Sequence, residues 1–152
     1  MLDEIMYDHI LVPTDGSNPA TAAVEEGIEL ARQNDAAIHA LYVVEPIPLG
    51  QFSAGPGPAS SEWGDVVEEQ RNEGDAATSD VADRASEYDL EVVEAIEHGK
   101  PHVQIIEYAN EHDIDAIVMG THGRSGANRL VLGSVTENVV RKSEVPVLTV
   151  RE

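Results

Sequence analysis

The chain has 152 residues, a length that suits one domain with a substantial hydrophobic core. It carries 29 acidic residues against 9 Lys and Arg, a formal net charge of −20, which argues against non-specific binding to nucleic acid or to an anionic membrane surface. The absence of cysteine excludes disulfide bonds and thiolate chemistry.

The acidic residues are spread along the chain, whereas lysine occurs only at Lys100 and Lys142. There is one Trp and one Phe. This composition is typical of a protein from a high-salt cytoplasm, because at ~1 M salt the Debye length is only ~3 Å and self-repulsion is screened. An ordinary acidic protein is the alternative. The N-terminus lacks the apolar core of a signal peptide and no apolar run could span a membrane, so we expect a cytoplasmic protein.

In chain order, the first half of the sequence predicts two strands and two helices. The strands are predicted at residues 7–13 and 36–44. A helix over about 19–33 follows Asn18 as N-cap, with Pro19 in its first turn. Four Pro and three Gly predict a flexible loop at about residues 45–60. A long acidic helix is predicted from Ser61 to about Ser86.

The second half predicts strands at residues 90–96, 116–119 and 146–150. Helices are predicted from Pro101 and over residues 134–141, the second of which follows a glycine-rich segment. Strands that alternate with helices indicate a mostly parallel sheet covered by helices on both faces, with right-handed crossovers. We find no second domain, and therefore predict one α/β domain over residues 1–152.

The glycine-rich segment runs from Met119 to Thr136. Its glycines at 120, 123 and 133 are spaced G-x2-G-x9-G-S, and it holds no acidic residue but contains Arg124 and Arg129. Residues 100–152 hold six of the nine basic residues of the chain, whereas residues 1–99 hold 22 of the 29 acids. An acid-free window of this kind in so acidic a chain predicts an anion-binding site.

The predicted topology brings this segment to the residues that follow the first strand. Ligands of open parallel sheets bind at the carboxyl ends of the strands, where Asp15 would lie close to Gly120. Glycines allow close approach of a phosphate, and a helix that starts at Gly133-Ser134 would present free N–H groups to it. Asp15 could accept a hydrogen bond from a ribose hydroxyl. The alternative is that Ser134 and Glu137 form a capping box, which would stabilise the helix without any ligand.

Catalytic and metal sites are not expected from the sequence. The pattern Gly123-Arg124-Ser125-Gly126-Ala127 lacks the final glycine of a nucleophile elbow. No H-x3-H pair falls on a formed helix, so no transition-metal site is predicted, and His9 and His39 are expected to be structural. A divalent ion that bridges phosphates, Mg²⁺ or Mn²⁺, stays open, with Asp15 as its nearest carboxylate. If the bound anion is a nucleoside triphosphate, slow hydrolysis is the most that we expect, since no general base can be named.

Over essentially its full length the chain resembles the universal stress protein family. The resemblance rests on the first strand and its turn (Ile10 to Ser17), the 41–44 strand, Gly99-Lys100-Pro101, the Met119 to Gly126 run, Leu132 to Glu137, and Val145 to Leu148. The G-x2-G-x9-G-[ST] spacing is that family's ATP-binding signature.

This resemblance implies a single five-stranded parallel sheet in the order 3-2-1-4-5, a Rossmann-like fold. It also implies a homodimer joined through the C-terminal strand, Val145–Val150, and a nucleotide-binding role in the stress response with an unknown protein partner. A module that binds no nucleotide is the alternative within the family. The implied cofactor is ATP or AMP, and the implied contacts are Pro13, Thr14 and Asp15 at the adenosine, Val43 at the adenine ring, Met119, Gly120, His122, Gly123 and Arg124 around ribose and phosphates, and Gly133, Ser134 and Val135 at the phosphates.

Overall fold

The structure is a computed structural model that describes residues 6–45, 60–122 and 132–151. Strands and helices alternate along these ranges, as the sequence predicts. The strands are β1 (His9–Pro13), β2 (Ala37–Val44), β3 (Val92–His98), β4 (Ala116–Gly120) and β5 (Val147–Val150). The helices are α1 (Asn18–Asn34), α2 (Ser60–Ser86), α3 (Pro101–Glu111) and α4 (Ser134–Lys142).

The strands form one parallel sheet in the order β3-β2-β1-β4-β5, which confirms the predicted topology. β1 is central: Leu11 pairs with His39 of β2 on one side and with Ile117 of β4 on the other. Its residues Ile10, Leu11 and Val12 are fully buried, because both faces of the sheet are covered.

Alternate residues of β1 enter two separate cores. Ile10 and Val12 pack with apolar residues of α1 and α2 on one face of the sheet. Leu11 packs with residues of α3 and α4, among them Ile105, on the other face. The period of two along a strand sends neighbouring side chains to opposite faces, so one short apolar run serves both helical layers.

One helix start differs from the prediction. Asn18 as N-cap is wrong: Ser17 is the N-cap of α1, and its Oγ accepts the N–H of Ala20 at 3.4 Å. Pro19 then falls within the first turn, where its missing N–H costs no helical hydrogen bond. Serine and asparagine are comparable caps, so propensity could not choose between these adjacent residues.

Other boundaries shift by one or two residues. β3 begins at Val92, two residues later than predicted, and continues through Glu97 to His98. The predicted loop at about 45–60 falls almost wholly on residues 46–59, which lie outside the described residues. No helix within the described ranges is long and apolar enough to cross a membrane.

Candidate functional site

The candidate site lies where β1 and β4 end side by side. The connections on the two sides of this pair run in opposite directions, which leaves a crevice beyond the carboxyl ends of the strands. The pairing Leu11 with Ile117 sets Pro13 level with Met119, so the segments after both strands leave the sheet at the same edge. The structure therefore brings the predicted residues after β1 next to those after β4.

The turn after β1 is held by its own hydrogen bonds. The Thr14 N–H donates to the carbonyl of Leu41 at 2.9 Å, which continues the sheet by one bond. The Gly16 N–H donates to Thr14 Oγ1 at 3.1 Å, and the Ser17 N–H donates to Asp15 Oδ1 at 2.9 Å. These bonds hold the half-buried Asp15 carboxylate at the crevice, although one of its oxygens serves the turn.

Gly16 makes this turn possible. Its φ is +79°, a left-handed conformation that L side chains rarely adopt. It also lies against α2, because a Cβ at this position would be 3.8 Å from that of Ala77. The second helix therefore borders the turn that carries Asp15.

Val43 lies beyond the end of β1 on the neighbouring strand. The β1–β2 pairing ends at Pro13 and Leu41, two residues before Val43. Since the main-chain groups of alternate residues in a parallel strand point to the same side, those of Val43 point, like the Leu41 carbonyl, towards β1. At that level β1 has ended, so the Val43 main chain faces the crevice.

The end of β4 is packed too tightly for a side chain. A Cβ on the buried Gly120 would lie 2.9 Å from the carbonyl oxygen of Pro19 and 3.1 Å from its carbonyl carbon. Glycine here lets the first turn of α1 approach the end of β4. The preceding Met119 is 5% exposed and its side chain belongs to the core on the α3/α4 face, so only its main chain is available at the crevice.

The start of α4 does not form the capping box that was the alternative interpretation of Ser134 and Glu137. Gly133 is the N-cap and makes no side-chain cap hydrogen bond, while Ser134 is the first helical residue and is exposed. Glu137 donates its N–H to the Gly133 carbonyl, and its carboxylate pairs with Arg141 at 2.7 Å instead of reaching back to the cap. The first turn of α4 therefore lacks the side-chain acceptor that a capping box would supply.

Two hydrogen bonds attach this helix start to β4. The Gly133 N–H donates to the Thr121 carbonyl at 2.8 Å, and the buried hydroxyl of Thr136 donates to the Gly120 carbonyl at 2.8 Å. The Thr121 N–H in turn donates to the carbonyl of Val150 in β5 at 3.1 Å. The sequence did not single out Thr121 or Thr136, since a threonine after a strand or inside a first helical turn carries no distinctive pattern.

The remaining predicted residues meet at the same place or fall outside the described ranges. His122 is half-buried; its Nδ1 is 3.1 Å from Thr121 Oγ1, and its Cα would be 3.4 Å from a Cβ on Gly133. Val135 is half-buried against the α3/α4 core. Gly123 and Arg124 lie outside the described residues. Within those residues, no group of three or more His, Asp or Glu side chains could hold a metal ion.

The turn after β1, the Val43 main chain, the end of β4 and the start of α4 thus enclose one crevice. Main-chain N–H groups of α4 border it on one side, and the Asp15 carboxylate lies at the end of the neighbouring strand. This combination suits a ligand with an anionic group at one end and hydroxyl groups at the other.

Comparisons with known proteins identify one family over nearly the whole chain. A model of the universal stress protein family matches residues 6–151. Universal stress protein MJ0531 of Methanocaldococcus jannaschii is 35% identical over 149 residues, which are 98% of this chain and 85% of that protein. The structure of universal stress protein UspA from Lactobacillus plantarum has a TM-score of 0.80 at 30% identity and covers 97% of this chain and 100% of that one. A universal stress protein in complex with cAMP has a TM-score of 0.68 at 26% identity, with coverage of 96% and 98%.

Proposed function

The chain belongs to the universal stress protein family, and from that premise we propose that it binds an adenine nucleotide, ATP or AMP, and acts as a regulatory factor of the stress response. The observation that carries the proposal is the start of α4. Its first turn has no side-chain cap, and it is hydrogen-bonded to the end of β4 beside the turn that holds Asp15.

Each part of the crevice has a matching part of the nucleotide. Phosphates accept hydrogen bonds from the main chain of Ser134 and Val135, where the helix dipole favours negative charge. Asp15 accepts from a ribose hydroxyl, with Pro13 and Thr14 along the adenosine. The main-chain groups of Val43 meet the adenine edge. Gly120, His122, Gly123 and Arg124, together with the main chain of Met119, surround the ribose and phosphates.

One relative supports this ligand class. The universal stress protein of 26% identity was crystallised in complex with cAMP, an adenine nucleotide. Its likeness covers 96% of this chain. For this chain, the triphosphate and the monophosphate both fit the proposal, and a Mg²⁺ or Mn²⁺ ion would enter with the phosphates.

The alternative, a module that binds no nucleotide, is weakened by one observation. It requires both the capping box at Ser134 and the turn glycines to have a purely structural use. Ser134 is not the cap and Glu137 pairs with Arg141, so the capping box is not available as that use. Gly120 does have a structural use, in its close approach to Pro19.

We also propose a homodimer joined through Val145–Val150, in a high-salt cytoplasm. β5 is an edge strand of the sheet, and Leu148 on it is 45% exposed, as is Val140 of α4. An open edge strand with exposed apolar side chains favours pairing with a second strand. An unknown protein partner would read the nucleotide-bound state of this dimer.

The first test is to identify what the protein retains. Protein purified in high salt is denatured, and the released material is analysed for adenine nucleotides by chromatography and mass spectrometry. Stoichiometric ATP, ADP or AMP supports the proposal. A protein that releases none, and whose melting temperature is unchanged by added ATP with Mg²⁺, contradicts it.

A substitution then tests the location. Ser134→Glu adds a negative charge at the exposed first residue of α4, where a carboxylate favours the helix but repels a phosphate. With one added charge about 4 Å from a phosphate, the repulsion is roughly 1–4 kcal/mol before screening by salt, and ~1 M salt reduces it to a fraction of that value. At the lowest salt concentration that keeps the protein folded, ATP affinity should therefore fall about 5-fold or more. The matched control is Ser79→Glu, the same change at an exposed position of α2. Equal affinity in the two variants would contradict a phosphate site at α4.

A further inference from the structure

Four aromatic side chains contact one another towards the amino ends of β1 and β2, away from the candidate nucleotide site. We call them the ring cluster: His9, His39, Tyr108 and His112. His9 Nδ1 lies 3.1 Å from His39 Nε2, and His39 Nδ1 lies 2.7 Å from the Tyr108 hydroxyl. The rings of Tyr108 and His112 stack with centroids 3.7 Å apart and planes 13° from parallel. The ring cluster therefore connects β1 and β2 to the last turns of α3.

This cluster is separate from the candidate nucleotide site. His9 begins β1 and Pro13 ends it, so the two sites lie at opposite ends of one strand, about 13 Å apart at ~3.3 Å per residue. An inference from the ring cluster does not rest on the proposed function.

The geometry of the cluster limits how many protons it can hold. A contact between two ring nitrogens needs one donor and one acceptor, hence one proton between them. A first added proton fits, because the half-exposed His9 can carry it on Nε2 and still donate from Nδ1 to His39. A second proton on His39 would place N–H against N–H, with two cationic rings whose centroids are 5.2 Å apart.

Neighbouring groups offer His39 no carboxylate partner among the contacts of the described residues. From α3 it meets the Tyr108 hydroxyl, and the ring of His112 lies 6.1 Å away between centroids. At the start of β4, Asp115 Oδ2 accepts the main-chain N–H groups of Asp8 and His9 rather than an imidazole N–H. On β3, Glu97 acts on Tyr108, where it adds to the effect of burial in raising the pKa of the phenol.

We propose that the ring cluster is an acid-sensitive joint, in which uptake of a second proton separates His9 from His39 and releases the last turns of α3 from the sheet. His39 lies on the sheet face that α3 covers, with the Tyr108 hydroxyl against its Nδ1. Hydration of the cationic imidazole therefore requires the end of α3 to move away from the sheet, because a hydrogen bond to Tyr108 alone does not replace the lost contact with His9. The loosened part comprises the end of α3 and the side chain of His9, while the strands themselves remain paired.

The protonation behaviour of His39 agrees with this geometry. The pKa of His39 is lowered from 6.5 to about 4, first by burial and then by the charges of His9 and His112. If the imidazole regains its ordinary pKa when the joint opens, the ratio of open to closed molecules should rise about 20-fold between pH 7 and pH 5. The end of α3 would therefore be open in a larger fraction of molecules at pH 5 than at pH 7.

Native-state hydrogen exchange tests the proposal on the full chain at constant high salt. Amide exchange of residues 105–112 is followed from pH 7 to pH 5 and corrected for intrinsic rates, in the wild type and in His39→Gln, which keeps an amide donor and acceptor but does not titrate. His98→Gln is the matched control, since His98 is exposed at the far end of β3. His9→Gln serves if the His39 variant fails to fold, because it also removes the pair of imidazoles.

The expected result is an increase of about 20-fold in α3 opening in the wild type and in His98→Gln, and less than about threefold in His39→Gln. His9→Gln should give an intermediate increase, because burial, the largest cause of the low His39 pKa, remains in that variant. Three results would overturn the proposal. One is a wild type whose α3 protection is independent of pH over this range. Another is an undiminished response in the His39 or His9 variant that folds, and the third is loss of the response in His98→Gln.

Discussion

Thr136 offers a direct test of how α4 is attached to the sheet. Its side chain is buried, with 3% of the residue exposed, and its hydroxyl donates to the Gly120 carbonyl at 2.8 Å. Thr136→Val keeps the shape and the β-branch but removes the donor, which leaves a buried carbonyl without that bond. We expect a loss of about 1–3 kcal/mol in the free energy of unfolding.

The matched comparison is Thr136→Ser, which keeps the hydroxyl and removes one buried methyl group. That change should cost about 0.8 kcal/mol from the lost burial. The loss of the hydrogen bond and the loss of packing therefore predict opposite orders for the free energies of unfolding of the two variants. If the bond matters most, valine is the more destabilising substitution.

The assay is urea denaturation at constant salt and constant protein concentration, since any self-association would make the apparent stability depend on concentration. For a chain of this length, 1 kcal/mol corresponds to a change of roughly 2–4 °C in the melting temperature. Thr136→Val should also weaken nucleotide binding, because the start of α4 loses one of its two bonds to the end of β4. A serine variant less stable than the valine variant would refute the reasoning.

Three further predictions concern Gly120, His39 and Arg141. Gly120→Ala places a Cβ 2.9 Å from the Pro19 carbonyl oxygen, so we expect a loss of about 1–3 kcal/mol by urea denaturation and weaker ATP binding by calorimetry; a variant with wild-type stability would contradict the close approach. The pKa of His39 is lowered from 6.5 to about 4, so the unfolded chain binds a proton at this residue before the folded protein does. The free energy of unfolding, measured by denaturation at fixed salt, should therefore be unaffected by His39 above pH 6.5 and should fall by up to about 3 kcal/mol as the pH falls from 6.5 towards 4; a free energy that does not change with pH would refute this. Arg141→Ala removes an exposed ion pair with Glu137 and should change the unfolding free energy by less than about 0.5 kcal/mol; a loss above 1 kcal/mol would show that we misjudge this pair.

Most of the helices and strands could be predicted from local patterns. Short apolar runs between Pro, Gly and polar turns correspond to all five strands, and Pro101 begins α3 as its position in the sequence indicates. The errors lie at the ends. Asn18 and Ser17 are both good caps, and the choice of Ser17 depends on how the chain leaves β1 through the Asp15 turn.

The start of α4 shows a second limit. The helix begins at Ser134 as predicted, but Ser134 and Glu137, which have the spacing of a capping box, do not form one, because Gly133 is the cap. The Thr121 carbonyl holds the Gly133 N–H, and Thr136 holds the Gly120 carbonyl. Contacts with a distant strand thus decide the register of the helix, and the local motif does not.

The sequence by itself determined the α/β class, because the period of apolar residues reports which segments bury one side or both. The glycine spacing and the acid-free window marked the segment near the candidate site, since glycine and missing charge are visible without coordinates. The order of the strands came from the resemblance to a family, as periodicity says nothing about which strands are neighbours.

Only the tertiary structure decided which distant groups meet. His9 and His39 were expected to be structural, but their bond to each other and the link to Tyr108 join residues 30 and 69 positions apart. The approach of Gly120 to Pro19 joins β4 to α1 in the same way. Such contacts depend on the packing of whole helices against the sheet, and that packing is a property of all the buried side chains together rather than of any local run of sequence.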